Sequence, residues 1–222
     1  MTTLPDIPRL YTALAEVLAA VLYAQAMPPR MDKRLCWGIT VVWAGLLAVF
    51  LQLTGDVPLV WWIPCMTAAI GWIYLYLWGT RAMNLLEAGY SCARAFILAE
   101  LAASVEWQLH CVLWPQQGAG KPLSLVLLAV VYAALYGFLY LFEQRRATAA
   151  RLTITTAAML MAVVMAVTVF AVSNLSFVSN GEATMSVFYI RTLVDFAGVL
   201  ILSVQHEQLR ENALHSELTA MD

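Results

Sequence analysis

Apolar residues along this chain fall into seven blocks of about 20. Each block is closed by polar or helix-breaking residues. Twenty apolar residues in a helix are the length needed to cross a bilayer's hydrocarbon layer. The pattern therefore predicts seven spans: Pro8 to Met27, Leu35 to Thr54, Leu59 to Trp78, Glu87 to Leu113, Leu123 to Phe142, Leu152 to Val178, and Met185 to Val204. Pro28 and Pro29 end the first block, and Gly55, Asp56 and Pro58 turn the chain after the second. The segments WPQQGAGKP and SNGEAT separate the fourth block from the fifth and the sixth from the seventh. Polar and apolar residues do not alternate inside the blocks, so a β-barrel is excluded. The predicted fold is an all-α transmembrane bundle over 1–204, with the start of a helical or coiled-coil linker over 205–222.

Basic residues give this bundle an orientation. Arg30, Lys33, Arg34, Arg81, Arg145, Arg146, Arg151 and Arg210 fall in alternate loops and after the last span. The opposite side carries only Arg9 and Lys121. Positive charge marks the cytoplasmic face, which places the N-terminus outside and the C-terminus inside a multi-pass cell-membrane protein. Trp61, Trp62, Trp78 and Trp114 sit at span ends, where amphipathic rings favour the headgroup layer. The outer loops are short, so an external signal must be small or must enter the bundle.

Composition adds exclusions. Of 222 residues, 62% are hydrophobic and 12% charged, against about 25% charged in soluble domains. A net charge of −2 leaves no broad basic face for nucleic acid. Cys36, Cys65, Cys92 and Cys111 have no CxxC or metal-ligand spacing and read as small buried hydrophobes. No cleavable signal peptide is expected, because no basic region precedes the first apolar run. Gly118 to Lys121 lacks the Walker spacing, and the sequon Asn174-Leu175-Ser176 falls at the end of an apolar span, as a chance match would.

Charge inside the spans is the exception that draws attention. Arg94, Glu100, Glu106 and His110 lie in the fourth block, Glu16 in the first, and Arg191 and Asp195 in the seventh. Ionisable groups are costly in lipid and face a protein interior or a wet cavity. Counting from the span ends puts Glu106, Arg191 and Glu16 at depths of roughly 10, 9 and 12 Å. Glu100 lies deeper. Arg191 and Asp195 share a helix face, as do Glu106 and His110. The expected arrangement neutralises Arg191 through Asp195, through Glu106 across the bundle, or through both. Glu16, Glu100, Glu106, His110, Arg191 and Asp195 are thus the candidate ligand or switch residues, against the simpler reading of an ion-pair network that fixes helix register. Ala95, Ala99, Ala102 and Ala103 suit close packing of the fourth helix at the bundle centre. Arg94, nearer the cytoplasmic end, is expected to snorkel or to pair with Glu87.

No Pro or Gly occurs from Val199 to Asp222, so the seventh span is expected to run on as one helix. Leu209, Ala213, Leu214, Leu218 and Met221 give that exit helix an apolar stripe, with an imperfect heptad register. Ending at Asp222 in the middle of helical sequence is what an interrupted longer protein would show.

Three stretches carry a family resemblance: CARAFILAELAASVEWQLH, FYIRTLVDFAGVLILSVQHEQ, and the exit helix ending HSELTAMD. In them the chain resembles the membrane input region of a sensor histidine kinase of the GHKL superfamily, similar in layout to peptide-pheromone receptor kinases. The resemblance implies a two-component signal-transduction receptor. It also implies a homodimer, a small or peptide ligand, a downstream kinase domain and a response regulator. ATP and Mg are implied only for that kinase domain, because these 222 residues hold no catalytic motif. His206 is followed by Glu207-Gln208 and His215 by Ser216-Glu217, and neither matches the family's phosphoacceptor motif. Both read as solvated helix residues. A small transporter or channel using the intramembrane carboxylates is the alternative. Pro64 and Gly71 in the third span are its only candidate helix break. A scaffold that merely anchors a partner is a third reading.

Overall fold

The computed structural model describes residues 7–55, 57–114, 121–145, 153–180 and 184–221, with the side chains at 59, 143–145, 174–180, 217, 220 and 221 left aside. Arg146, Arg151, Gly118 to Gly120 and the side chains of Arg145, Asn174, Ser176 and Met221 therefore lie outside the description. The predicted blocks are seven helices: α1 (Arg9–Gln25), α2 (Lys33–Leu53), α3 (Leu59–Thr80), α4 (Leu85–Leu113), α5 (Pro122–Arg145), α6 (Thr156–Asn180) and α7 (Met185–Met221). Six of them, α2 to α7, are long and apolar enough to cross a membrane. α1 has 17 residues, about 25 Å of helix, and is the shortest.

Local chemistry explains the helix ends. Asp32 accepts a hydrogen bond from the Arg34 amide and starts α2. Asn84 and Glu87 form a reciprocal capping box that satisfies two otherwise orphaned amides at the start of α4. α3 runs unbroken through Pro64, its sixth residue, although proline has no amide to donate to the Val60 carbonyl. The weak break considered at Pro64 and Gly71 is absent.

Loop contacts fix which ends lie together. The Arg30 amide donates to the Thr80 carbonyl (2.9 Å) and the Ala82 amide to the Pro28 carbonyl (3.0 Å), pairing the α1–α2 and α3–α4 connections. At the other end Arg9 reaches the Gly55 carbonyl (3.3 Å), and the Tyr11 hydroxyl meets that of Ser124 (3.2 Å). Arg30, Lys33, Arg34 and Arg81 thus share one end of the bundle.

α4 is the central helix. It packs against α1, α3, α5, α6 and α7. In its most apolar stretch 72% of residues are buried, against 22–28% in the five other spans. Ala95, Ala99, Ala102 and Ala103 are all buried, as expected of close packing. α1 contributes Ala15, Ala19, Ala20 and Ala24 to the same core cluster. Small residues on both helices let the backbones approach, and van der Waals contact then drives association where lipid removes the hydrophobic difference. A second cluster joins α4 to α2, α6 and α7 through residues such as Phe96, Ile97, Leu47, Ala162 and Leu202. The outer faces carry exposed Val, Leu, Ile and Phe, which suits contact with acyl chains.

Candidate functional site

α4 and α7 run antiparallel. Tyr90 lies against His206, Ile97 against Gly198 and Ser104 against Asp195, so numbers rise on one helix as they fall on the other. Gly198 permits this approach. A methyl group there would sit 2.8 Å from Val169 Cγ2 and 3.1 Å from Ile97 Cγ2.

The buried polar layer is built on this contact. Arg191 of α7 donates to a Glu100 carboxylate oxygen at 2.6 Å, with only 14% and 3% of the two side chains exposed. Asp195, one turn further along α7, is fully buried. Its two oxygens accept the hydroxyls of Ser104 from α4 (2.7 Å) and Ser173 from α6 (2.9 Å). Three helices therefore meet at Asp195, and α7 is tied to α4 at two neighbouring turns. Charge-assisted hydrogen bonds of this kind are the stronger class and are insulated here from water.

The pairing corrects the expected one. Arg191 makes its ion pair across the bundle with Glu100 in place of Glu106, and Asp195 on its own helix lies within electrostatic reach of Arg191, as expected. Six helical steps carry Glu106 to a position about 120° round α4 from Glu100, whereas Ser104 lies only about 40° away. Glu106 has a suitable height and the wrong face. It lies instead within electrostatic reach of Tyr132 on α5 and of Cys111.

Glu16 and Glu106 form a different part of the layer. Both are fully buried, and neither carboxyl oxygen of either residue has a hydrogen-bond partner among the described residues. Glu16 is within electrostatic reach of Glu100. Aromatic residues surround this region. His110 stacks on Trp107 (4.6 Å, planes 3° apart), and Tyr11 meets Trp107 edge-on at 6.2 Å. Tyr132 and Tyr136 of α5 donate to the carbonyls of Tyr11 (2.9 Å) and Ala15 (2.7 Å) of α1. Helix carbonyls have a second lone pair, so these bonds join α5 to α1 without breaking either helix.

Two further expectations change. Arg94 does not snorkel: it is 5% exposed, with its guanidinium 4.7 Å from the Tyr23 ring and 5.8 Å from that of Tyr90. Glu87, the other residue of that expectation, accepts the Asn84 amide in the α4 cap. His206 is not solvated but half-buried against Tyr90, ring centroids 6.0 Å apart. His215 is exposed, as expected of a solvated residue.

The exit helix is continuous. α7 spans 37 residues, about 55 Å, well beyond the roughly 30 Å of a hydrocarbon layer. Leu209 still packs on the bundle core, Ala213 and Leu214 are half-buried, and Leu218 is exposed. Gln205 donates to the Ala158 carbonyl (3.2 Å), and Arg210 pairs with Glu207 at 3.5 Å. Ser104 and Ser173 were not singled out in the sequence. Only the one-turn spacing of Ser104 from Glu100 could have pointed to the first, and nothing local pointed to the second.

Fold and layer together define a polytopic helical membrane protein with a polar interior. No family model, curated protein or solved structure matches the chain.

Proposed function

We propose that the chain is the input module of a membrane signalling protein, which passes a ligand or membrane signal to a cytoplasmic output through α7. One observation carries this reading: the helix that bears Arg191 and Asp195 continues unbroken to Met221. A change in the contacts of Glu100, Ser104 or Ser173 acts on a rod that leaves the bundle. Two arrangements of that contact, biased by a signal, are what such coupling requires.

The finer reading is the sensor region of a GHKL-superfamily histidine kinase, homodimeric through the exit helix, with the N-terminus outside and the C-terminus in the cytoplasm. It rests on the three resembling stretches and on the basic residues gathered at one end of the bundle. ATP, Mg and a response regulator belong to it only through a downstream kinase domain. The DNA following the Asp222 codon tests it directly. A continuing frame with a His-Asp motif and an ATP-binding domain supports it, and a stop codon with no kinase gene nearby sinks it. The coupling has its own test. A spin label at Ser216 in the reconstituted protein should report a changed exit-helix mobility or distance when Arg191 becomes Gln. An unchanged spectrum in a folded variant would remove α7 as the output.

A small transporter or channel is the second reading, favoured by one observation: among the described residues the buried carboxyls of Glu16 and Glu106 have no hydrogen-bond partner. Proton or cation flux into liposomes, abolished by Glu16→Gln or Glu106→Gln, would establish it over the first.

A further inference from the structure

At the basic end of the bundle an open cleft of about 460 Å³ lies where the α1–α2 connection, the start of α2 and the end of α3 meet. Gln25, Pro29, Lys33, Trp37 and Arg81 are among the residues that line it. The two cations are uncommitted. Among the described residues neither the Lys33 ammonium nor the Arg81 guanidinium has a hydrogen bond or ion pair, and Arg81 Nε is shielded from solvent with no acceptor. A buried donor left in that state is costly, and a ligand oxygen would satisfy it.

The neighbouring charges are otherwise engaged. Arg30 donates to the carbonyls of Arg81 (3.2 Å) and Met83 (2.9 Å), and its guanidinium lies 5.6 Å from the Trp78 ring. Asp32 caps α2 and Glu87 caps α4. Among the described residues no carboxylate lines the cleft. The cleft therefore combines two available cations with an aromatic wall and no competing anion.

From these features we infer that the cleft binds a phosphate group through Lys33 and Arg81. A fork of guanidinium donors beside an ammonium matches a tetrahedral oxyanion. The position selects the source as an anionic phospholipid. Trp37 and Trp78 mark the headgroup level by their place at helix ends. Lys33, Trp37, Val41, Gly45 and Val49 recur every fourth residue along one exposed strip of α2, running from the cleft toward mid-membrane. A methyl group at Gly45 would touch nothing, so the strip has a shallow dip that an acyl chain can follow. Basic pockets between membrane helices hold lipid headgroups in this way. The inference does not depend on the signalling role of α7.

Native mass spectrometry of the purified full chain tests it, with phosphatidylglycerol as the probe and phosphatidylcholine as the comparator. The expected result is retention of phosphatidylglycerol over phosphatidylcholine, falling roughly fivefold in Lys33→Gln and further in Lys33→Gln/Arg81→Gln. Arg34→Gln, outside the cleft, should leave retention unchanged. Equal retention of the two lipids, or of phosphatidylglycerol by parent and double variant, would overturn the site. Displacement of the lipid by millimolar inorganic phosphate would overturn the lipid as its source. Lys33 is exposed and takes no part in the loop pairing, so its variant stays readable even if Arg81→Gln lowers the folded yield.

Discussion

Arg191 on α7 donates to Glu100 on the central helix α4 at 2.6 Å, one turn from where Asp195 gathers the hydroxyls of Ser104 and Ser173. Breaking a buried pair strands the remaining charge, which typically costs about 3–5 kcal/mol. Arg191→Met and Glu100→Met are each expected to lower stability by about that amount. The double variant, with no charge left over, should recover most of the loss. A double-mutant cycle on thermal or denaturant unfolding in detergent measures the coupling. Additive losses would mean that the two side chains do not interact.

Much of this site was legible in the sequence, and the part that was not has a geometric cause. Counting residues from span ends gives an approximate height, and it set Glu100 deeper than Arg191 although the two side chains meet at 2.6 Å. It gives no azimuth. Which face of α4 meets α7 depends on the crossing set by Gly198 and Ile97, and that crossing presents Glu100 and Ser104 rather than Glu106. The fold itself was legible because spans and breakers are local features. His206 was misread for a related reason. Its sequence neighbours are polar, yet α7 continues alongside the first turns of α4 and lays the ring on Tyr90.

Asp195 makes the serines sensitive positions. Hydrogen bonds to a charged group contribute about 1.5–3 kcal/mol each. Ser104→Ala and Ser173→Ala should each cost about that much, and the pair together more than either, because both bonds end on one carboxylate. Folded yield and melting temperature in detergent read the effect. If the joint loss equals one single loss, a single serine holds Asp195.

At Gly198 the side chains of α6 and α4 already occupy the space a Cβ would need. Gly198→Val forces atoms toward Val169 and Ile97 and should cost about 1–3 kcal/mol through overpacking. Trimming the neighbour in Gly198→Val/Val169→Ala should return part of that. Recovery with Val169→Ala, and none with a distant Val→Ala change such as Val60→Ala, would assign the loss to this contact.

Continuity of α7 can be cut without touching the bundle core. Gln208 is exposed, and proline there removes an amide donor and clashes with the preceding turn, at a cost of about 3 kcal/mol to the helix. Hydrogen exchange should then rise from about residue 205 onward, with α1 to α6 unchanged. A label at Ser216 should lose any response to Arg191→Gln. Persistence of that response would mean that the signal leaves the bundle by another path.

Glu16 and Glu106 should behave in the opposite way to Glu100. Each removes a carboxyl group from water and gains no hydrogen bond among the described residues, so the polar group is costly where it stands. Glu16→Met and Glu106→Met, which keep similar volume, are expected to leave stability unchanged or to raise it by about 1–2 kcal/mol. Glu100→Met destabilises under the same conditions, because Arg191 loses its partner. The contrast separates register from purpose. A residue whose removal stabilises the bundle is not there to hold it together. If either variant is more stable and at the same time loses the exit-helix response or ion flux, that carboxyl serves the signal or the ion. A marked loss of stability in Glu16→Met or Glu106→Met would instead make the whole layer a structural network.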